Sequence, residues 1–274
     1  MSGSELVIAL EQIALGPSFE DNLLHCLSAI RRAAAAGAQV AVLPEACMRP
    51  FGLPLQDLPE DLYATWTLAL QACAQELGIL ALVGLFRREK KAFYNTLLVT
   101  GDNLTEGYDK RHLYDAFGYA ESSEICAGSD CLILELGDFS LGLGLCYDLR
   151  FPEHFIAMAL QGANVLIVCA DWAQGPGKLE QWRLLAQARA LDCTSYLLAC
   201  GQACNDWQKG FGLGHSLVVH PSGQILEELG EGEGELVLSL DGDEISRVRE
   251  ALPVLSWRHR HSLAQPGIRR VRLR

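Results

Sequence analysis

Phe139-Ser-Leu-Gly-Leu-Gly-Leu-Cys146-Tyr-Asp-Leu-Arg150-Phe-Pro-Glu153 changes character at its cysteine. The apolar run before it, spaced by Gly142 and Gly144, reads as a buried strand whose small residues let other backbone approach closely. The polar run after it marks a turn out of the sheet, and Glu153 opens a helical stretch. Cys146 is thus expected on a strand tip facing a cleft. Position alone does not make a nucleophile, because a free thiol is mostly protonated near neutral pH and needs a base or a nearby positive charge. Both kinds of group lie upstream.

Working outward from that strand, short apolar runs alternate with amphipathic ones. Leu6–Leu10 reads as a strand, Ser18–Ala36 as a helix with Ser18 as N-cap and Gly37 as its stop, and Val40–Leu43 as the next strand. Helix Asp61–Leu77 and strands Ile79–Phe86, Tyr94–Thr100 and Ser140–Cys146 follow. Helix Glu153–Gln161, strand Val165–Cys169 and helix Leu179–Asp192 come next, then strands Tyr196–Gly201, His215–His220, Ile225–Leu229 and Glu235–Leu240. The pairs 79–86/94–100 and 215–220/225–229 are close enough for hairpins, the second turning at Pro221-Ser-Gly223. The class is therefore α/β with a mixed sheet pattern. So many strands point to two sheets face to face with helices outside, a four-layer α-β-β-α sandwich. Ligands in such a fold gather beyond strand ends.

The 274 residues, half of them hydrophobic, read as one domain spanning 1–274. No linker, repeat or low-complexity segment interrupts them, and Gly230-Glu-Gly-Glu-Gly-Glu235 reads as a turn. A net charge of −12 disfavours nucleic acid and anionic membranes as partners and leaves a small molecule as the expected one. The basic Arg258-His-Arg-His261 and Arg269–Arg274 run against that charge; the tail 254–274 is expected at a subunit interface. No secretory leader and no apolar run of roughly 20 residues is present, so a cytoplasmic location is expected. The ten cysteines sit mostly in apolar segments and read as reduced core thiols. Without a Cys-x-x-Cys pair, structural zinc is not expected.

Three polar segments follow or interrupt apolar strands: Val42-Leu-Pro-Glu45, Tyr108-Asp-Lys110-Arg-His-Leu-Tyr-Asp115, and the one holding Cys146. A carboxylate, an amine and a thiol at neighbouring strand ends would make an acyl-transfer site. Glu45 would take the thiol proton, Lys110 would stabilise a tetrahedral intermediate, and Cys146 would carry the acyl group as a thioester. Singly, each has a blander account as cap, solvated lysine or core cysteine.

Together they resemble a known family. Leu43-Pro-Glu45-Ala-Cys, Lys110-Arg-His-Leu-Tyr-Asp115 and Gly144-Leu-Cys146-Tyr-Asp-Leu-Arg-Phe-Pro-Glu153 are similar, in order, to the three motifs of the nitrilase superfamily of carbon–nitrogen hydrolases. The likeness continues through Tyr119-Ala-Glu121-Ser, Trp182, Arg189-Ala-Leu-Asp192, Gly214–Val219 and Pro221-Ser-Gly223. It implies Glu45 as general base, Lys110 as charge stabiliser, Cys146 as nucleophile and Glu121 as a supporting carboxylate. The backbone N–H of Tyr147 would complete the oxyanion hole. It also implies an α-β-β-α sandwich that pairs as a homodimer or higher homo-oligomer, and no metal or organic cofactor. Asp192 stands where many relatives have Glu, which suggests a structural role. Cys47 lacks the motif around Cys146, and His112 and His215 read as structural histidines.

The segment after Cys146 resembles the branch of ω-amidases and deaminated-glutathione amidases, so the expected reaction is hydrolysis of a linear amide with release of ammonia. Such substrates carry carboxylates, for which Arg150, Trp172 and Arg183 are the candidate binding residues. Internal pairing with Asp148 or Glu180 is the alternative for each arginine. N-carbamoyl-amino-acid or nitrile hydrolysis would use the same three residues, and a non-catalytic binding subunit is the alternative from another class.

Overall fold

Eight residues buried almost throughout beyond Val7, Glu5–Gln12 (β1), form the first strand in a computed structural model that describes residues 4–204 and 210–260. The first half continues as α1 (Phe19–Ala35), β2 (Val40–Val42), α2 (Leu62–Leu77), β3 (Leu80–Glu89), β4 (Ala92–Gly101), β5 (Leu104–Asp109), and a small hairpin of β6 (Asp115–Ala116) and β7 (Tyr119–Ala120). The second half holds β8 (Ile133–Leu136), β9 (Phe139–Leu145), α3 (Pro152–Leu160), β10 (Val165–Ala170), α4 (Lys178–Cys193), β11 (Tyr196–Gly201), β12 (Leu217–Val219), β13 (Ile225–Glu228), β14 (Gly234–Asp241), α5 (Gly242–Ala251) and α6 (Val254–Arg260).

The strands form two sheets of six, ordered β14-β1-β2-β3-β4-β5 and β13-β12-β11-β10-β9-β8. Period-two alternation decides how they stack. Ile8, Leu10, Val40, Val42 and Leu82 of the first sheet meet Leu141, Leu143, Leu145, Val165 and Ile167 of the second in one buried cluster. The residues between them point the other way. Ala9, Ala41 and Ala81 pack under α1 and α2 with Ile30, Trp66 and Leu70, while Leu166 and Val168 pack under α3 and α4 with Phe155 and Trp182. The result is the expected α-β-β-α layering, and the hairpins β3/β4 and β12/β13 are antiparallel as expected.

Two edge strands were not anticipated. β5 exposes most of its polar residues and β8 is only four residues long, so neither carries a strong apolar pattern. Ser18 caps α1 through a bond from the Asp21 N–H. The strand expected at His215–His220 is shortened to Leu217–Val219, because His215 has a φ of 52° and Ser216 turns its N–H to the Gln12 side chain. α6 packs Leu255 onto the α3/α4 face. The remainder of the expected interface tail, with Arg269–Arg274, lies outside the described residues. All ten cysteines are free thiols, and among the described residues no helix is long and apolar enough to cross a membrane.

Candidate active site

In both sheets the central strands run parallel, β1-β2-β3 and β9-β10-β11. Their carboxyl ends meet along one edge, and the polar segments that leave those ends converge there. Glu45 follows β2, Lys110 follows β5, Cys146 follows β9 and Asp171 follows β10. All four line one cavity, together with Glu121, Tyr147, Arg150 and Trp172.

Glu45 is held from every side. Its Oε1 accepts from the Lys110 Nζ at 2.9 Å and from the Asn95 Nδ2 at 2.8 Å, and its Oε2 accepts from the Asp171 N–H at 2.9 Å. The backbone behind it lies against Gly84 of β3, where a Cβ would sit 2.5 Å from the Glu45 Cα. Gly84→Ala is therefore expected to displace Glu45, cutting activity at least tenfold and costing about 1–3 kcal/mol of stability. Chemical denaturation beside steady-state rates checks both. The next residue, Ala46, has a φ of 58°, strain that the packing around Glu45 holds in place.

Lys110 is 2 % exposed and donates to both Glu121 oxygens, at 2.9 and 3.1 Å, as well as to Glu45. The β6/β7 hairpin delivers Glu121, whose Oε2 also accepts from the Tyr114 N–H at 2.6 Å. Asn95 donates to Glu121 as well, at 3.1 Å. Burial works against the Lys110 ammonium. The Glu121 and Glu45 carboxylates outweigh it and hold its pKa well above the ordinary lysine value.

Strand β9 ends at Leu145, and Cys146 opens a 3₁₀ turn, Cys146–Arg150, with a φ of 40°. Such a non-glycine left-handed residue is strained, and the turn is fixed by Asp148. The buried Asp148 carboxylate accepts from the Leu145 N–H at 2.9 Å, the Tyr108 hydroxyl at 2.6 Å and the His112 N–H at 3.0 Å. His112 also places its Nδ1 2.7 Å from Asp148 and stacks on Phe151, so it ties the Lys110 loop to the Cys146 turn, as expected of a structural histidine. Burial would raise Asp148, but the hydrogen bonds from His112 and Tyr108 and the charge of His154 hold it below the ordinary aspartate value. Tyr147 is the second residue of the turn, where opening N–H groups have no partner within it.

Burial pushes the Cys146 thiol well above its ordinary value. The Glu45 carboxylate adds to the rise and Lys110 opposes it. Cys146 is thus a neutral thiol beside a carboxylate, and to act as a nucleophile it would need a base rather than a lowered pKa. Cys47 is buried, donates to the Pro44 carbonyl at 3.1 Å and lies off the cavity lining.

One expected site residue is corrected. Arg183 does not line the cavity; it grips Glu228 of β13 with three contacts of 2.7–3.0 Å, and the same carboxylate meets His215 at 2.8 Å. Neither Asp148 nor Glu180 is its partner. The close approaches at Gly142 and Gly144 also differ from expectation: the Met158 and Phe155 side chains of α3, rather than backbone, fill those spaces. Asp192 pairs with Arg189 at 3.3 Å, which suits a structural role.

The geometry can be set beside known proteins. The family described as carbon-nitrogen hydrolase matches residues 7–250. The chain belongs to the carbon–nitrogen hydrolase family. This carbon–nitrogen hydrolase is 38 % identical to hydrolase Rv0480c of Mycobacterium tuberculosis over 90 % of its own length and 94 % of that protein. It is 32 % identical to the deaminated glutathione amidase of Escherichia coli O157:H7, covering 92 % and 97 %. The solved structure of Saccharomyces cerevisiae Nit3, a member of branch 10 of the nitrilase superfamily, superposes with a TM-score of 0.81 at 27 % identity, covering 93 % of this chain and 98 % of that one.

Several residues in and behind this carbon–nitrogen hydrolase's cavity were not singled out from sequence. Asn95, which bridges both carboxylates, was legible only as a polar residue between Phe93 and Leu97 in a strand buried almost throughout. Phe51, Tyr114, Tyr119 and Phe211 come from loops and the β6/β7 hairpin, and Lys178 opens α4 straight after a loop, places where no periodicity marks a facing. Burial and the Glu121 charge push the Tyr119 hydroxyl up to about 12, so it faces the cavity as a neutral donor.

Proposed function

We propose that this carbon–nitrogen hydrolase is an amidase of the ω-amidase or deaminated-glutathione-amidase kind, cleaving a small carboxylate-bearing amide through a thioester on Cys146. The observation that carries the reading is the buried Glu45–Lys110–Glu121 cluster opening onto the same cavity as Cys146 and the Arg150 guanidinium. Glu45 accepts the thiol proton as sulfur attacks the amide carbon. The tetrahedral oxyanion is met by the Lys110 ammonium and the Tyr147 N–H. Glu45 then returns the proton to the departing nitrogen, the C–N bond breaks, and the thioester remains. Water, deprotonated by Glu45, attacks the thioester and releases the acid and the thiol. Glu121 holds Lys110 on its other side, which keeps the ammonium aimed while Glu45 changes protonation.

The test is ammonia release from a panel of α-keto-acid amides, deaminated glutathione, N-carbamoyl amino acids and simple nitriles, with amine release followed in parallel and Cys146→Ala as control. Release from a carboxylate-bearing amide, lost in the variant, is the expected result. Turnover confined to nitriles or N-carbamoyl compounds, or no turnover with no acyl mass on Cys146, overturns it.

A further inference from the structure

A second pair of carboxyl groups lies away from Cys146, and the proposed reaction makes no use of it. Glu11, near the end of β1, is 0 % exposed, and the residue opposite it in the antiparallel β1/β14 ladder is Glu235. Like charges placed opposite each other weaken a sheet. Arg32 of α1 donates to one Glu11 oxygen, Oε2, at 2.7 Å. The other, Oε1, and the Glu235 Oε1 are both buried and accept no hydrogen bond from any other described group. From β11 the Cys200 thiol donates to the Glu11 carbonyl at 3.6 Å, and Glu233 is turned away to His25 of α1 at 3.2 Å. One guanidinium therefore serves two carboxyl groups. Buried acceptors facing each other without a donor are costly, and a proton on either one supplies the donor. Burial, then the hydrogen bond with Glu235, push the Glu11 carboxyl from 4.5 to about 8, and Arg32 offsets only part of that rise.

The neighbours of this pair lead back to the active site. Gln12, next to Glu11, donates its Nε2 hydrogens to the Gly230 carbonyl at 2.7 Å and to the Gly232 carbonyl, and its Oε1 accepts from the Ser216 N–H at 2.7 Å. The loop 230–233 that Gln12 grips runs straight into β14 and Glu235. Its Gly230 and Glu231 carbonyls accept from the His215 and Cys204 N–H groups at 3.0 and 2.8 Å. Gly214 lies so close that a Cβ there would sit 2.6 Å from the Glu231 carbonyl oxygen. Two residues earlier, the Gly212 N–H binds the Asp171 carboxylate at 2.7 Å, and Asp171 holds Glu45 through its own N–H. Phe211, beside Gly212, lines the cavity. The loop 230–233 is thus the support on which the Phe211 side of the cavity rests.

We propose that Glu11 and Glu235 share one proton across the β1/β14 ladder, and that its release loosens the loop 230–233 and, through it, the segment that carries Phe211 and Gly212. The pair is a pH-sensitive fastening built into the sheet edge, and it stands whatever amide the cavity accepts. With the proton in place, one carboxyl donates to the other and Arg32 balances the single remaining charge. Once the proton passes to solvent, two carboxylates face each other over one guanidinium and the end of β14 is pushed off β1. The folded-state value lies above the unfolded one, so the pair contributes stability that is fully present below the ordinary glutamate range. That stability is lost as pH rises through about 8.

Amide hydrogen exchange, corrected for its intrinsic pH dependence and followed from about pH 6 to about pH 10, reads the fastening directly. Protection of 230–235 and 210–216 is expected to fall roughly tenfold through about pH 8, while that of β9 and β10 stays level. Glu235→Gln removes one of the like charges and keeps a donor for the Glu11 Oε1. It is expected to abolish the step and to raise Tm by about 3–6 °C near pH 9, with little difference from the native protein near pH 5. Infrared difference spectra should show a buried protonated carboxyl disappearing over the same range in the native protein and missing from Glu11→Gln. Level protection of both segments across the range, a step that survives Glu235→Gln, or a carboxyl signal that survives Glu11→Gln overturns the shared proton. A step confined to 230–235, with 210–216 unmoved, overturns the link to the cavity.

Discussion

Glu45→Gln is expected to slow amide turnover roughly a thousandfold and yet to leave an acyl group on Cys146. In the proposed reaction the two halves use the carboxylate differently. Burial and then the Glu45 charge keep the resting thiol protonated, while Lys110 pulls the other way. Replacing the carboxylate by an amide removes the base but also removes one of the two largest influences holding the proton on sulfur. The thiol of the variant is therefore expected to titrate lower than in the native protein, with Lys110 still opposing the rise. Acyl transfer in a single turnover should accelerate as the pH is raised from neutral towards about 9, as thiolate forms without help. Thioester hydrolysis gains nothing from that, because its nucleophile is water and its base is gone.

Intact mass spectrometry after mixing Glu45→Gln with an amide substrate checks the point. An adduct of the acyl mass on Cys146, persisting for minutes and forming faster at higher pH, is expected. A variant that turns over at the native rate, or one that never acylates at any pH, would remove Glu45 from the role of base. Cys146→Ala, which lacks the attacking atom, should show neither adduct nor turnover.

Much of this site could be read before any coordinates, for a physical reason. Glu45, Lys110 and Cys146 each stand where an apolar strand breaks into polar sequence, and in an α/β sandwich strand ends are where side chains can converge. The layers were legible too, since β1, β2 and β10 carry apolar residues on both faces. What stayed hidden depends on contacts across the fold. Asn95 serves both carboxylates from the middle of β4, and Asp171 reaches Glu45 through its backbone, which no side-chain identity announces. Arg183 looked equivalent to Arg150 in sequence. It lies on the α4 surface that packs towards β13, and Glu228 claims it there. Edge strands β5 and β8 escaped because an exposed face leaves little hydrophobic signal.

Lys110→Met is expected to be costly for folding as well as for catalysis, and pH separates the two losses. The ammonium stands 2.9 Å from both Glu45 and Glu121, each at most 2 % exposed, and the two carboxylates share the Asn95 amide. Methionine fills similar volume but leaves two buried like charges facing each other. Breaking a buried pair in this way costs about 3–5 kcal/mol. The pair lowers that cost by retaining a proton, so at least one carboxylate of the variant has a pKa raised above its unfolded value. A group raised in the folded state contributes stability that is present in acid and lost as pH rises through the folded pKa. The deficit in Tm relative to the native protein should thus be small near pH 4 and widen towards about pH 8. Adding Glu121→Gln removes one of the opposed charges and should recover most of the lost Tm at neutral pH. It should not recover turnover, which remains down by roughly a hundred- to a thousandfold because the proposed oxyanion has lost its cation. A single variant as stable as the native protein at all pH values would mean that Lys110 does not hold the two carboxylates together. Recovery of activity in the double variant would mean that its contribution to the reaction is structural alone.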